Sequence, residues 1–144
     1  MMRSRPIRIL LIEDNDGDVF LTKKALSVCE TPYVLDVIME GDQAIEKLRV
    51  AGLPGEMERP DIILMDLNLP RVNGSDILME IKALPILTTI PVIALSSSEA
   101  KQDVYRIYTL HANAYLKKPK SLDEFKSMIV SLDKFWFQNV ILPS

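Results

Sequence analysis

Two short apolar runs in this chain each end in acid: Ile9-Leu10-Leu11-Ile12 leads into Glu13-Asp14, and Ile62-Ile63-Leu64-Met65 leads into Asp66. Continuous apolar runs of this length predict strands buried on both faces, as in a parallel sheet covered by helices. The carboxyl ends of neighbouring strands in such a sheet share one crevice, so three acids far apart in sequence are expected to converge there. Hard oxygen ligands at that density suit Mg²⁺, which takes one or two carboxylates together with waters and phosphate oxygens.

Two further segments make the site more specific. Pro91-Val92-Ile93-Ala94-Leu95 predicts another buried strand, followed by the hydroxyl of Ser96, and Ala114-Tyr115-Leu116-Lys117 predicts a short one closed by Lys118-Pro119. A crevice holding acids for a metal, a hydroxyl donor and a lysine that pairs with phosphate as a point charge is a phosphoryl-transfer site. Strand alternation sends Lys117 to the opposite side from Lys118.

Between these strands the spacing predicts helices over Asp18–Cys29, Asp42–Val50, Ser75–Leu84, Ser98–Leu110 and Leu122–Trp136, with a strand over Tyr33–Met39 and a polar loop over Ala51–Pro60. Alternating β–α units with buried strands and right-handed crossovers lead to a doubly wound α/β fold. The 144 residues fit one domain, with a core over about 7–136 and an apolar tail over 137–144. They leave no length for a DNA-binding output domain, and a net charge of −3 gives no electrostatic reason to expect nucleic acid. The basic start Met1-Met2-Arg3-Ser4-Arg5 precedes an apolar run too short for a signal peptide or a membrane span, so a cytoplasmic location is expected. Cys29 is the single cysteine and is expected to be a buried structural thiol.

The ordered set Glu13-Asp14, Asp66, Ser96 and Lys118-Pro119 resembles the receiver domain of two-component response regulators, over nearly the whole chain from about Ile7 to Trp136. The resemblance implies a flavodoxin-like five-stranded parallel sheet in the order 2-1-3-4-5 with five helices. It also implies roles. Asp66 is the phosphoacceptor, taking its phosphoryl group from a phosphohistidine on a partner kinase. Glu13, Asp14, Asp66 and the main-chain carbonyl of Asn68 hold Mg²⁺. Lys118 is the mobile counter-charge, and Ser96 and Tyr115 form the switch. Asn68 and Ser98 modulate hydrolysis of the phospho-aspartate, and Lys118-Pro119 is expected to be cis, although X-Pro bonds alone favour trans. The long loop, the tail and the absent output domain are similar to stand-alone regulators paired with cyanobacterial phytochrome-type kinases.

Plainer roles compete with several of these. Ser97 or Ser98 is expected to cap the following helix whatever Ser96 does. Tyr115 is alternatively a static strand residue, and His111 at a helix end is read as solvated. Phe135, Trp136 and Phe137 form an apolar patch that predicts a homodimer or partner surface, so truncation after Lys134 is expected to leave a folded monomer. Two other functions fit part of the pattern: a phosphorelay intermediate that passes its phosphoryl group to another histidine, and a Mg²⁺-dependent phosphatase. The latter is disfavoured because Asn68 stands where such an enzyme needs a general acid.

Overall fold

The structure is a computed structural model that describes residues 5–69 and 72–143. The basic start at residues 1–4 lies outside the described residues. Five strands, β1 (Ile7–Ile12), β2 (Tyr33–Ile38), β3 (Ile62–Asp66), β4 (Val92–Ser96) and β5 (Ala114–Lys117), alternate with helices α1 (Asp16–Ala25), α2 (Ala44–Arg49), α3 (Gly74–Ala83), α4 (Lys101–Thr109) and α5 (Leu122–Leu132). All strand pairs are parallel, in the order β2-β1-β3-β4-β5. This is the doubly wound fold implied by the sequence, with its switch point between β1 and β3.

Each strand feeds two cores by its alternation of side chains. Leu10, Ile12, Ile63, Met65 and Ala94 pack against Ile45 and Leu48 of α2, Ile77, Leu78 and Ile81 of α3, and Ile107 of α4. Ile9, Leu11, Ile62, Leu64 and Ile93 pack on the other side against Val19 and Ala25 of α1 and Phe125, Ile129 and Leu132 of α5. Burying each such side chain contributes about 1.5–3 kcal/mol, so the central strands anchor the acids at their ends to the stiffest part of the molecule. No helix among the described residues is long and apolar enough to cross a membrane.

Local chemistry moved the starts of two helices from their expected places. Helix α1 begins at Asp16, two residues before the expected Asp18, because the Asn15 side chain accepts a hydrogen bond from the Asp18 N–H at 2.9 Å and caps it. Helix α4 begins at Lys101 with Ala100 as its N-cap, so neither Ser97 nor Ser98 holds that position. Ser98 supports the entry turn instead: its hydroxyl donates to Asp103 at 2.6 Å and accepts from the Ala100 N–H at 3.2 Å. At the far end of α4, His111 is exposed with φ 74°, and the His111 and Ala112 N–H groups return to the carbonyls of Tyr108 and Ile107. That is a Schellman closure, and it gives His111 a local structural job.

The largest departure follows α5. The chain expected to continue as α-helix to Trp136 widens at Asp133 into a π-helical segment over Asp133–Asn139, closed by a bond from the Val140 N–H to the Phe135 carbonyl at 2.8 Å. The buried Asp133 carboxylate anchors this segment by accepting from the Glu30 N–H at 2.8 Å and the Thr31 hydroxyl at 2.6 Å. The wider turn directs Phe137 into the α1–α5 core, which Leu142 of the tail joins. Phe137 is only 4% exposed, so it is withdrawn from the expected partner surface, and the tail supplies core. Phe135 remains 56% exposed. Cys29 is half-buried and donates to the Thr31 carbonyl at 3.3 Å. Burial pushes its thiol up to about 11, aided by the Asp133 charge, which keeps it protonated near neutral pH.

Candidate functional site

The head of the sheet gathers side chains from four strand ends. Glu13 and Asp14 follow β1, Asp66 and Ser96 close β3 and β4, and Lys118 follows β5. Glu13 and Asp66 are each 2% exposed, whereas Asp14 is partly exposed. Oxygen atoms of Glu13, Asp14 and Asp66 lie within 4.8 Å of one another. Three carboxylates at such spacing fit a hard divalent cation, because like charges about 4 Å apart repel by roughly 4 kcal/mol per pair at an effective dielectric constant of about 20.

Lys118 supplies the counter-charge. Its Nζ lies 2.9 Å from Glu13, 3.0 Å from Asp66 and 2.8 Å from Asp18. Burial works against the ammonium, but the hydrogen bonds to Asp18, Glu13 and Asp66 outweigh it and hold the amine above its ordinary range. Burial likewise pushes the Glu13 carboxyl up to about 7; the hydrogen bond to Lys118 opposes that rise and the Asp66 charge adds to it. Glu13 also accepts from the Asn15 N–H at 3.1 Å, so the residue that caps α1 fixes an acid of the site as well. Lys117 points elsewhere, as strand alternation requires, and pairs on the surface with Glu99 at 3.2 Å.

Asp66 is held from both sides. Its Oδ1 accepts from the Asn68 N–H at 3.0 Å while Oδ2 faces Lys118. Gly74, the first residue of α3, lies against this turn: a Cβ there would stand 2.7 Å from the Leu67 Cα and 3.0 Å from the Asp66 carbonyl oxygen. Any side chain at position 74 would displace the backbone that carries Asp66.

Ser96 is buried, accepts from the Ser98 N–H at 3.1 Å and donates to the Asn68 side chain at 3.4 Å. The half-buried Tyr115 donates its hydroxyl to the Ser98 carbonyl at 2.8 Å. Between Ser96 and Tyr115 lies a cavity of about 180 Å³ that also borders Asn68, Asp103 and Arg106. The Lys118-Pro119 bond is trans, no peptide among the described residues being cis, which corrects the expectation drawn from the resemblance.

Sequence reasoning missed Asp18 and Gly74. Asp18 was placed at the start of a helix that in fact begins two residues earlier, and that earlier start turns its carboxylate onto Lys118. Gly74 carries no signal until the proximity of α3 to the β3 turn is known.

With this geometry in hand, the chain can be set beside known proteins. The response regulator receiver domain profile matches residues 9–130, and the chain belongs to that family, whose members are signalling proteins. Response regulator Rcp1 of Synechocystis sp. is 37% identical over 139 residues, which are 96% of this chain and 95% of that protein. The crystal structure of the phosphorylated cyanobacterial phytochrome response regulator RcpA superposes with a TM-score of 0.88 at 36% identity, covering 97% of this chain and 100% of that one. The Mn²⁺-bound form of Rcp1 gives 0.86 at 37% identity, covering 96% and 100%.

Proposed function

We propose that this chain is a stand-alone cytoplasmic response regulator of a phytochrome-type sensor histidine kinase, accepting a phosphoryl group on Asp66. The observation that carries this reading is the buried Asp66 carboxylate, joined at one oxygen to Lys118 and set among Glu13 and Asp14 at the switch point of the sheet. The similarity to phytochrome regulators at 36–37% identity over nearly the full chain supports the choice of kinase class.

Asp66 attacks the phosphorus of the kinase phosphohistidine: a P–O bond forms, the P–N bond breaks, and the imidazole nitrogen leaves with the electron pair. Glu13, Asp14, Asp66 and the main-chain carbonyl of Asn68 would hold Mg²⁺, which when bound supplies positive charge against the phosphoryl oxygens; the manganese-bound Rcp1 supports a divalent ion there. Lys118 then shifts from the Asp66 carboxylate to a phosphoryl oxygen. Ser96 turns its hydroxyl from Asn68 toward another, drawing the β4–α4 loop inward, and Tyr115 moves into the cavity between them. Neither Asn68 nor Ser98 is a general base, so self-dephosphorylation is slow.

Output falls to the face of α4, β5 and α5. Tyr105 and Tyr108 of α4 are 76% and 48% exposed, and a cleft of about 520 Å³ beside β5 and α5 is bordered by Lys117, Pro119, Met128, Phe135 and Trp136. A two-fold homodimer would bury this surface.

A small phosphoryl donor with Mg²⁺ should label the wild type at one alkali-labile site and leave Asp66→Asn unlabelled. Lys118→Ala should lose the phosphorylation-dependent change in the β4–α4 loop, while Lys117→Ala should keep it. Equal labelling of the Asp66→Asn protein, or the reverse ranking of the two lysines, overturns the assignment.

A further inference from the structure

The Lys118 ammonium has three N–H bonds to give, and among the described residues three carboxylates stand within salt-bridge reach of it: Glu13 at 2.9 Å, Asp18 at 2.8 Å and Asp66 at 3.0 Å. A phosphoryl oxygen on Asp66 takes over that residue's share of the lysine and then draws on it against Glu13 and Asp18. Glu13 is ill suited to give way, since its side chain is 2% exposed and its other oxygen is committed to the Asn15 N–H. It is also one of the acids set to hold the metal, which fixes it in place. Asp66 is itself the group that carries the phosphoryl.

Asp18 differs from both. Its side chain is 25% exposed, so water can receive it on release. It stands apart from the three acids whose oxygens cluster for a metal, and it comes from the first turn of α1, on a separate element from any strand end. Before phosphorylation it places an anionic oxygen on Lys118 at 2.8 Å.

Building on the phosphoacceptor reading above, we infer that Asp18 is a positioning residue that occupies Lys118 in the unphosphorylated protein and competes with the phosphoryl group for it. Asp18 holds the counter-charge ready at the site, and it also weakens the phosphorylated state, because it draws on the same ammonium and its negative charge remains near the incoming anion. The residue therefore sets how readily the protein holds a phosphoryl group, through the lysine it shares with two of the acids that would bind the metal.

The test is the affinity of the purified full chain for beryllium trifluoride, a non-covalent phosphoryl mimic, at saturating Mg²⁺, compared among wild type, Asp18→Asn, Asp16→Asn and Asp66→Asn. Asp16 is exposed, lies in the same helical turn and carries the same charge, and so controls for a general field effect. Asp18→Asn should bind the mimic about fivefold more tightly, the size of one partly solvated ion pair, while Asp16→Asn stays within about twofold. A purely structural role for Asp18 at the helix start would lower stability without tightening the mimic. Unchanged or weaker binding by Asp18→Asn overturns the inference, and so does equal tightening by Asp16→Asn. Should wild type fail to bind the mimic, or Asp66→Asn bind it equally well, the phosphoacceptor assignment itself falls and the inference falls with it.

Discussion

Asp133 shows how much one side chain can hold. It is 3% exposed, yet its carboxylate is held low: burial alone would raise its pKa, but the hydrogen bonds from the Thr31 hydroxyl and the Glu30 N–H, with lesser ones from Gln138 and Cys29, outweigh that and lower it. A carboxyl whose folded pKa lies below its unfolded value stabilises the fold above about pH 4 and ceases to do so as pH falls through the folded value. Asp133→Asn should therefore cost about 1–3 kcal/mol at neutral pH, because buried donors lose a charged acceptor. Denaturant melts of variant and wild type should converge as pH falls from about 4 through the lowered folded pKa of Asp133, beneath which both lack the charge. A gap of constant size down to low pH would mean that the charge of Asp133 contributes nothing. Residues of this kind were hard to read in the sequence, since Asp133 and Thr31 meet only through the fold. Glu13, Asp14, Asp66, Ser96 and Lys118 were legible because each follows or closes an apolar strand whose exit point is fixed by the sheet. Asp18 was not, because its direction depends on where Asn15 starts the helix.

Among the elements, the strands matched expectation closely, since runs such as Ile62–Met65 offer no alternative to full burial. Helix starts shifted by a few residues where a side-chain hydrogen bond shaped the entry: Asn15 caps α1, and Ser98 holds the turn that precedes α4. The π-helical segment was not legible, because an added backbone residue per turn leaves no mark in a short apolar sequence. It separates neighbouring aromatics sharply: Phe137 is 4% exposed and Phe135 is 56% exposed. Phe137→Ala should cost about 3–5 kcal/mol of stability in a denaturant titration, whereas Phe135→Ala should change it by less than about 0.5 kcal/mol. Similar losses for the two would mean that the π turn does not divide them. For the same reason, truncation after Lys134 is expected to destabilise the fold by removing Phe137 and Leu142 from the core, and a melt of the shortened chain decides between this outcome and a folded short chain.

In the proposed function, a charge change at one end of the sheet acts on a face it does not touch. If phosphorylation moves Tyr115 and the β4–α4 loop, the affinity of α4, β5 and α5 for a second copy should change with it. Sedimentation of the full chain with and without beryllium trifluoride and Mg²⁺ should show a shift in the monomer–dimer balance, and Phe135→Ala should weaken the dimer without altering the fold. A monomer in both states at high concentration would send the output to a different partner. The strand order has one more effect, on the making of the protein. Chains emerge from the ribosome amino end first, at about 5–20 residues per second. The acids of β1 and β3 are therefore made well before Lys118, which follows β5. For that interval the acids lack the ammonium that joins them in the fold, and the Asp133 clasp to Glu30 and Thr31 is still to come. Synthesis thus delivers the counter-charge of the acid cluster late, in the same closing part of the chain that carries the Asp133 anchor.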